Sequence, residues 1–407
     1  MRARAFQEWA QADPRLGVSA QLHRPLENSH GLYAFGVWLY NWIQRTAPFL
    51  HHIYFNFLEV VPVVRTSKPL GAEKYRKILE ELQPDVLLSV HDSLNHGFFE
   101  YARVVLGEDR VKCVTYCGEL SGGYGFSRHW VNPSADLFIG AVPETCDAAV
   151  RWGMARERTQ VGGFLLRRFF YDPPGDDAGR AAFYRDVLGL DPNEFTLLLS
   201  ASSRGAHNHV RFLEALQQQR VDVPVVLLCG KSQITESEVS AWAKVNPRAR
   251  VRLLPHNTNV SQLMRSVSAI VARPGTGTTS EAILSGCPLL LNCLGGIMPQ
   301  ERITVKFCRN HGAAQLVRSP MELAGIVAEW KKRPELPAAI RQAMKSACPP
   351  SHPSDIVRTI AALGVRDDST AAVRIPVLGV VRVAPPVAPA VPGRSLPLPE
   401  PVVDSAT

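Results

Sequence analysis

Short, uninterrupted apolar runs punctuate the chain at 85–90, 111–116, 195–200, 224–230, 269–272 and 288–292, each followed by a turn and a helical pattern. A run that is apolar on both faces suits a strand covered on both sides, so the pattern predicts parallel strands alternating with helices. That rhythm is α/β, with doubly wound sheets. The polar, turn-rich stretch Tyr171-Asp-Pro-Pro-Gly-Asp-Asp-Ala-Gly separates two such series and puts a domain boundary near residue 172. Residues 1–171 then form one Rossmann-like domain and 172–365 a second. The second ends in an amphipathic helix over 352–363 that packs back across either domain. Eight prolines between Pro376 and Pro401 exclude a helix or a central strand, so 366–407 reads as a disordered tail.

The front of the chain departs from this rhythm. A doubly wound half opens with a buried strand, yet Met1 leads straight into a helical pattern (Ala5-Phe6, Trp9-Ala10), followed by a strand-like Val18-Ser-Ala-Gln-Leu. The expectation is that the first strand and its glycine-rich turn lie upstream or have been lost.

Composition supports two ordinary cores: 407 residues, 46% hydrophobic and 20% charged. No run of eighteen uncharged apolar residues occurs, and the first residues lack the apolar centre of a secretion signal, which points to the cytoplasm. The eight cysteines include no Cys-x-x-Cys pair and read as reduced thiols, with no metal site. The net charge of +8 is uneven, since residues 1–190 balance 21 basic against 21 acidic side chains and the remainder holds 24 against 16. Without a dense Lys/Arg run, the excess suits a phosphate-bearing small molecule rather than nucleic acid. Residues 31–58 carry nine of the 32 Phe, Trp and Tyr residues. They read either as a segment dipping into a lipid interface or as a helix buried under the first sheet.

The chemistry concentrates at Ile270-Val-Ala-Arg-Pro-Gly-Thr-Gly-Thr-Thr-Ser-Glu-Ala-Ile-Leu-Ser-Gly, a strand, a turn rich in glycine and hydroxyls, and a helix. Gly275 and Gly277 let backbone approach a ligand, and amides around Thr278 and Thr279 open a helix whose positive end faces anions, as a diphosphate cradle requires. Neither a P-loop nor a dinucleotide fingerprint fits its spacing. Glu281, about one turn in, is placed to accept both hydroxyls of a ribose, or else completes a capping box behind a Thr cap. His91, ending a predicted strand on the ligand-binding side, and His96 are candidate bases or pocket-shaping histidines.

The run Gly277-Thr-Thr-Ser-Glu-Ala282, with Gly286, Pro288, Asn292, Gln300-Glu301 and Asn310-His-Gly-Ala313, resembles the donor-site signature of glycosyltransferase family 28. It is most similar to the monogalactosyldiacylglycerol synthases and bacterial diacylglycerol glucosyltransferases, and more distantly to the peptidoglycan N-acetylglucosaminyltransferase. Leu227-Leu-Cys-Gly-Lys231, the loop from Leu254 to Met264, Pro84-Asp85 through His91 and His96, and Gly162-Gly163 through Phe169 fit the same pattern in order, from about residue 1 to 345.

The resemblance implies two facing Rossmann-like domains, the GT-B architecture. It implies a UDP-sugar co-substrate in the second domain, an acceptor in the first and no cofactor. By it, Gly275, Gly277, Thr278 and Thr279 hold the diphosphate, Lys231 lends a charge, Glu281 takes the ribose, Gln300 and Glu301 the sugar hydroxyls, and backbone near His256 the base. The implied reaction is inverting transfer of galactose or glucose to a lipid hydroxyl, that of diacylglycerol, by a peripheral protein on the inner face of the membrane. The chain departs from the pattern at Thr304, where asparagine is usual, and at Ser200-Ala-Ser-Ser-Arg-Gly205, where glycines are. The family's histidine-bearing first turn precedes Met1. Two rival expectations follow: a catalytically impaired nucleotide-sugar-binding relative, and a nucleotide-sugar epimerase, which needs paired acids around the sugar.

Overall fold

The computed structural model describes residues 1–24, 50–60, 68–173, 175–200, 208–229, 233–254, 259–364 and 372–379, with Gly31, Gly36, Trp38 and Leu39. They form two six-stranded sheets. The first holds β1 (Val18–His23), β2 (Val86–Ser89), β3 (Lys112–Cys117), β4 (Leu137–Gly140), β5 (Thr159–Val161) and β12 (Val373–Leu378), in the order β1-β12-β2-β3-β4-β5. The second holds β6 (Leu197–Ser200), β7 (Val225–Leu228), β8 (Val251–Leu254), β9 (Ala269–Ala272), β10 (Leu289–Asn292) and β11 (Gln315–Val317), in the order β11-β10-β9-β6-β7-β8. Every pairing is parallel. Five helices position the site: α1 (Arg2–Ala12), α2 (His51–Val60), α3 (Thr276–Ser285), α4 (Pro299–His311) and α5 (Pro353–Gly364).

The six apolar runs are all strands, and β2, β7, β9 and β10 are buried at every residue, because helices cover both faces. Among the strands that no predicted run marks, β5, β8 and β11 are short and partly exposed, so they lack a continuous apolar signature, whereas β4 is short but buried over its last three residues.

The tail expectation fails at β12, which is an interior strand. It pairs with β1 from Val18↔Val373 to His23↔Leu378 and with β2 at Val377↔Leu88 and Leu378↔Ser89. The slot that seemed to lack a strand is thus filled from the far end of the sequence. Pro376 is tolerated because of the way the ladder alternates. Val373 and Gly379 donate their amides to Gly17 and His23 on the β1 side, whereas Arg374 and Leu378 exchange bonds with the β2 side. Pro376 falls on the β2 side, where pairing covers only Val377 and Leu378, so its missing N–H interrupts little. Asp85 ties the strand in, one oxygen accepting from the Arg374 amide at 2.8 Å and the other from Arg110 at 3.1 Å. The rest of the proline-rich segment, from residue 380, lies outside the described residues.

Helix α5 packs on the first sheet. Ile356, Val357 and Ile360 share a core with Phe6 of α1, Val86, Val114, Ile375 and Val377. The first domain is therefore made of two chain segments, and 353–379 belongs to it rather than to the second domain or a tail.

The carboxyl ends of the first sheet's strands face the second domain. Gly125, at φ +104°, lies so close to α4 that a Cβ would sit 1.8 Å from the Pro299 carbonyl, so only glycine fits. Lys306 of α4 donates to the Gly122 carbonyl at 3.1 Å, and His311 meets Glu144 at 2.7 Å. The cleft between domains thus lies at the strand ends where doubly wound sheets bind ligands. Among the described residues no helix is long and apolar enough to cross a membrane.

Candidate active site

The second domain contributes the turn between β9 and α3. Gly275, in extended conformation, is the N-cap, and no side chain caps the helix. The first bond closing the helix runs from the Thr279 amide to the Gly275 carbonyl at 3.0 Å, which leaves the amides of Thr276, Gly277 and Thr278 pointing out of its positive end. The open amides therefore begin earlier than the sequence suggests. Thr278 stays in the set, while the Thr279 amide is used within the helix and its hydroxyl is fully buried with no partner. A Thr cap with Glu281 completing a capping box is ruled out, because Glu281 lies deeper than the first turn such a box occupies.

Glu281 is 7% exposed and makes no side-chain hydrogen bond among the described residues. Burial pushes its carboxyl up to about 7, with the charge of Arg2 in α1 working the other way. A buried carboxylate beyond a row of open amides is what a hydroxyl-bearing anion would fill.

Glu301 is engaged within its own domain. Its two oxygens are held by Arg273, from Nε at 3.1 Å and from Nη2 at 2.5 Å, and the Met298 amide donates to the second at 2.8 Å. Arg273 also donates to the carbonyls of Leu294 and Gly296, so this buried pair pins the 294–298 loop and occupies most of the carboxylate's acceptor capacity. Gln300, half-buried at the start of α4, remains beside the cleft. Arg273 was missed by sequence reasoning, although its place between a buried strand and Pro-Gly was a signal. Lys231 and His256 lie outside the described residues, as does the turn at 201–207.

On the first domain His91 follows β2 and is 39% exposed at its side chain. Its Nδ1 lies 2.9 Å from Asp92 Oδ1. The Ser93 amide, 3.2 Å from that nitrogen, donates at 2.8 Å to the same carboxylate. Burial opposes the charge of Asp92, but His91, His129 and the Ser93 bonds outweigh it and hold the carboxyl well below the usual carboxylate range. In the tautomer that donates Nδ1–H to the ionised Asp92, Nε2 is the lone-pair nitrogen. Asp92 was the second residue missed, although it adjoins His91.

His96 is placed differently. Its Nε2 lies 3.0 Å from the Val131 carbonyl and must donate to it, and its neighbour Asn95 binds the carbonyls of His129 and Trp130. It props the loop behind β2. The structure therefore separates the two histidines that sequence treated alike.

Helix α2 stands at the cleft mouth. His52 contacts the Tyr124 hydroxyl at 3.1 Å and the Ile297 carbonyl at 3.2 Å, and Phe55 meets Tyr124 edge-on. Ile53 and Phe57 are 67% and 62% exposed on the same helical face, so this part of the aromatic segment is not packed under the sheet. Among the described residues no group of three or more His, Cys, Asp or Glu side chains is arranged to hold a metal.

No family model matches the chain. A probable chloroplastic monogalactosyldiacylglycerol synthase of Glycine max is 24% identical over 289 residues, covering 68% of this chain and 52% of the relative. Monogalactosyldiacylglycerol synthase 3 of Arabidopsis thaliana is 23% identical over 350 residues, covering 83% and 70%. The processive diacylglycerol beta-glucosyltransferase of Bacillus licheniformis is 22% identical over 278 residues, covering 67% and 68%. The chain spans about half the length of the soybean relative. Among solved structures, MurG of Acinetobacter baumannii superposes with a TM-score of 0.53 at 17% identity, covering 71% of this chain and 77% of that one. The S. aureus MnaA–UDP structure gives 0.52 at 14%, covering 74% and 81%. The chain is thus similar in sequence to the diacylglycerol glycosyltransferases of family 28, and it shares the two-domain GT-B fold.

Proposed function

We propose that this chain is a UDP-hexose-dependent glycosyltransferase that moves galactose or glucose to a lipid hydroxyl, most simply that of diacylglycerol, at a membrane surface. The observation that carries this reading is the pairing, on α3, of three open amides with the buried Glu281 behind them. In the proposed complex the amides of Thr276, Gly277 and Thr278 face the diphosphate, Glu281 accepts the ribose hydroxyls and Gln300 meets the sugar. His91 Nε2 removes the acceptor proton as that oxygen bonds to the anomeric carbon. The bond from that carbon to the diphosphate breaks, UDP leaves, and the configuration inverts. Oriented amides stabilise the leaving charge without reorganisation, so the proposed step needs no metal or organic cofactor. The exposed Ile53 and Phe57 stand where a lipid would reach the cleft.

The epimerase alternative needs paired acids around the sugar, and Glu301, the acid beside Gln300, is committed to Arg273. The test is incubation with diacylglycerol-containing vesicles and radiolabelled UDP-galactose or UDP-glucose in separate reactions. Label in glycolipid with one donor supports the proposal and names the sugar. Binding of UDP without transfer supports the impaired relative instead.

A further inference from the structure

The donor cradle described above is one-sided: three helix amides approach a diphosphate from the second domain. The cations of α4 that line the cleft are already engaged. Lys306 donates to the Gly122 carbonyl, and Arg302 lies over the Tyr124 ring. Arg273, at the cradle itself, is locked to Glu301. The residue that meets the cradle from the opposite wall is at the start of α1.

Arg2 is anchored on the first domain. Its Nη1 donates to the Leu165 carbonyl at 3.2 Å, and its Nε passes so close to Gly118, just after β3, that a Cβ there would lie 2.8 Å away. Gly118 is thus the gap that admits the guanidinium. The adjacent Met1 places its sulfur 3.6 Å from where a Cβ on Gly277 would stand, so this end of α1 abuts the cradle. Burial dominates the upward shift of Glu281 in α3, and the charges of Arg2 and of the Met1 amino group oppose it, in keeping with the start of α1 lying beside α3. Arg2 forms no salt bridge with Glu281. The remaining nitrogen, Nη2, is buried and has no hydrogen-bond partner among the described residues. A guanidinium carries five donors in a fixed fork and is costly to leave unsatisfied, whereas a phosphate accepts two of them at once.

We infer that Arg2 is a diphosphate-binding residue contributed by the first domain, closing the α3 cradle from the opposite wall and neutralising the charge that grows on the leaving UDP. The inference rests on the reading of α3 as the donor site. It gives the first domain a part in donor binding, and it makes closure of the domains over the donor a condition for charge stabilisation.

Calorimetric titration of the full chain with UDP and, separately, with uridine tests it, using wild type, Arg2→Met and Arg2→Lys. Because a charge-assisted phosphate contact is worth about 1.5–3 kcal/mol, Arg2→Met is expected to weaken UDP roughly 10- to 100-fold and to leave uridine unchanged. Arg2→Lys is expected to recover part of the loss, since a single ammonium cannot reproduce the fork. Unchanged uridine affinity also shows that the variant is folded. Equal loss for UDP and uridine would mean that Arg2 acts only through Glu281, and equal UDP affinity in all three proteins would mean that it touches no phosphate; either overturns the inference. Failure of the wild type to bind UDP would instead remove the donor-site reading.

Discussion

The second sheet is laid down by one continuous stretch of chain, β6 to β11, whereas the first closes only when β12 inserts between β1 and β2. Both use six parallel strands with helices on both faces, yet one core completes itself and the other depends on the far end of the sequence. Ordering so distant a strand means closing a long loop before any contact rewards it, which makes the first domain the slower unit to assemble. The two donor-side features, open amides and Glu281, lie on the self-contained domain, and the histidine dyad lies on the composite one.

The sharpest way to break that comparison is to end the chain at Gly364. Ile375, Val377 and Leu378, each at most 1% exposed, would be lost, and β1 and β2 would be left with bare edges. Burial of such side chains is worth about 1.5–3 kcal/mol each, comparable in sum with the roughly 5–15 kcal/mol that holds a whole domain. The expected result is loss of the first domain's cooperative melting transition, with lipid transfer abolished, while a chain ending at Gly379 melts like the full one. Calorimetry on the two truncations decides it, and identical melting would mean that β12 is dispensable.

Next in size is the contrast between the two histidines of the composite domain. General-base catalysis contributes roughly 10²–10⁴-fold, so His91→Ala is expected to lower kcat for lipid transfer by that range and to leave UDP affinity unchanged. Asp92→Asn keeps the shape but removes the acceptor that fixes the Nδ1 proton, and is expected to lower kcat less. His96→Ala, which loses a bond to the Val131 carbonyl, is expected to lower the melting temperature with little change in kcat. Initial-rate kinetics beside melting curves would expose a wrong assignment if the two histidines traded places.

How much of this was legible depended on how local the information was. The six buried strands and the α3 turn each sit in one short apolar or glycine-rich window, and all were readable. The fate of 373–378 was not, because six residues interrupted by Pro376 become a strand only through neighbours far away in sequence. Glu301 was marked beside Gln300 as a sugar ligand only by the family resemblance, and its commitment to Arg273 was not readable, since nothing in spacing says which way a carboxylate turns. The difference between His91 and His96 was hidden for the same reason: it lies in whether the ring finds Asp92 or a backbone carbonyl.

The Arg273–Glu301 pair sharpens the comparison within the self-contained domain. Removing one partner of a buried pair leaves the other charge unpaired, at a cost of about 3–5 kcal/mol, so Glu301→Ala is expected to lower the melting temperature of the second domain sharply. Gln300→Ala is expected to leave melting unchanged and to raise KM for the UDP-sugar without weakening UDP. If Glu301→Ala melted normally and only KM rose, the carboxylate would be a sugar ligand after all.

The smallest effect separates stability from binding at Glu281. Burial holds its proton to about pH 7 in the folded chain, against an ordinary 4.5. Between these values the unfolded chain gives up its proton first, so the folded state loses ground as the pH rises through that window. Glu281→Gln has no proton to lose. It is expected to match the wild type near pH 4.5 and to be more stable at pH 8, by on the order of 3 kcal/mol at most. The same substitution removes the ionised acceptor and is expected to weaken both UDP and uridine, unlike Arg2→Met, which spares uridine. Melting curves at the two pH values, with a uridine titration beside them, check both halves. A variant that gained stability and kept its uridine affinity would show that the buried carboxylate is not there for a ribose.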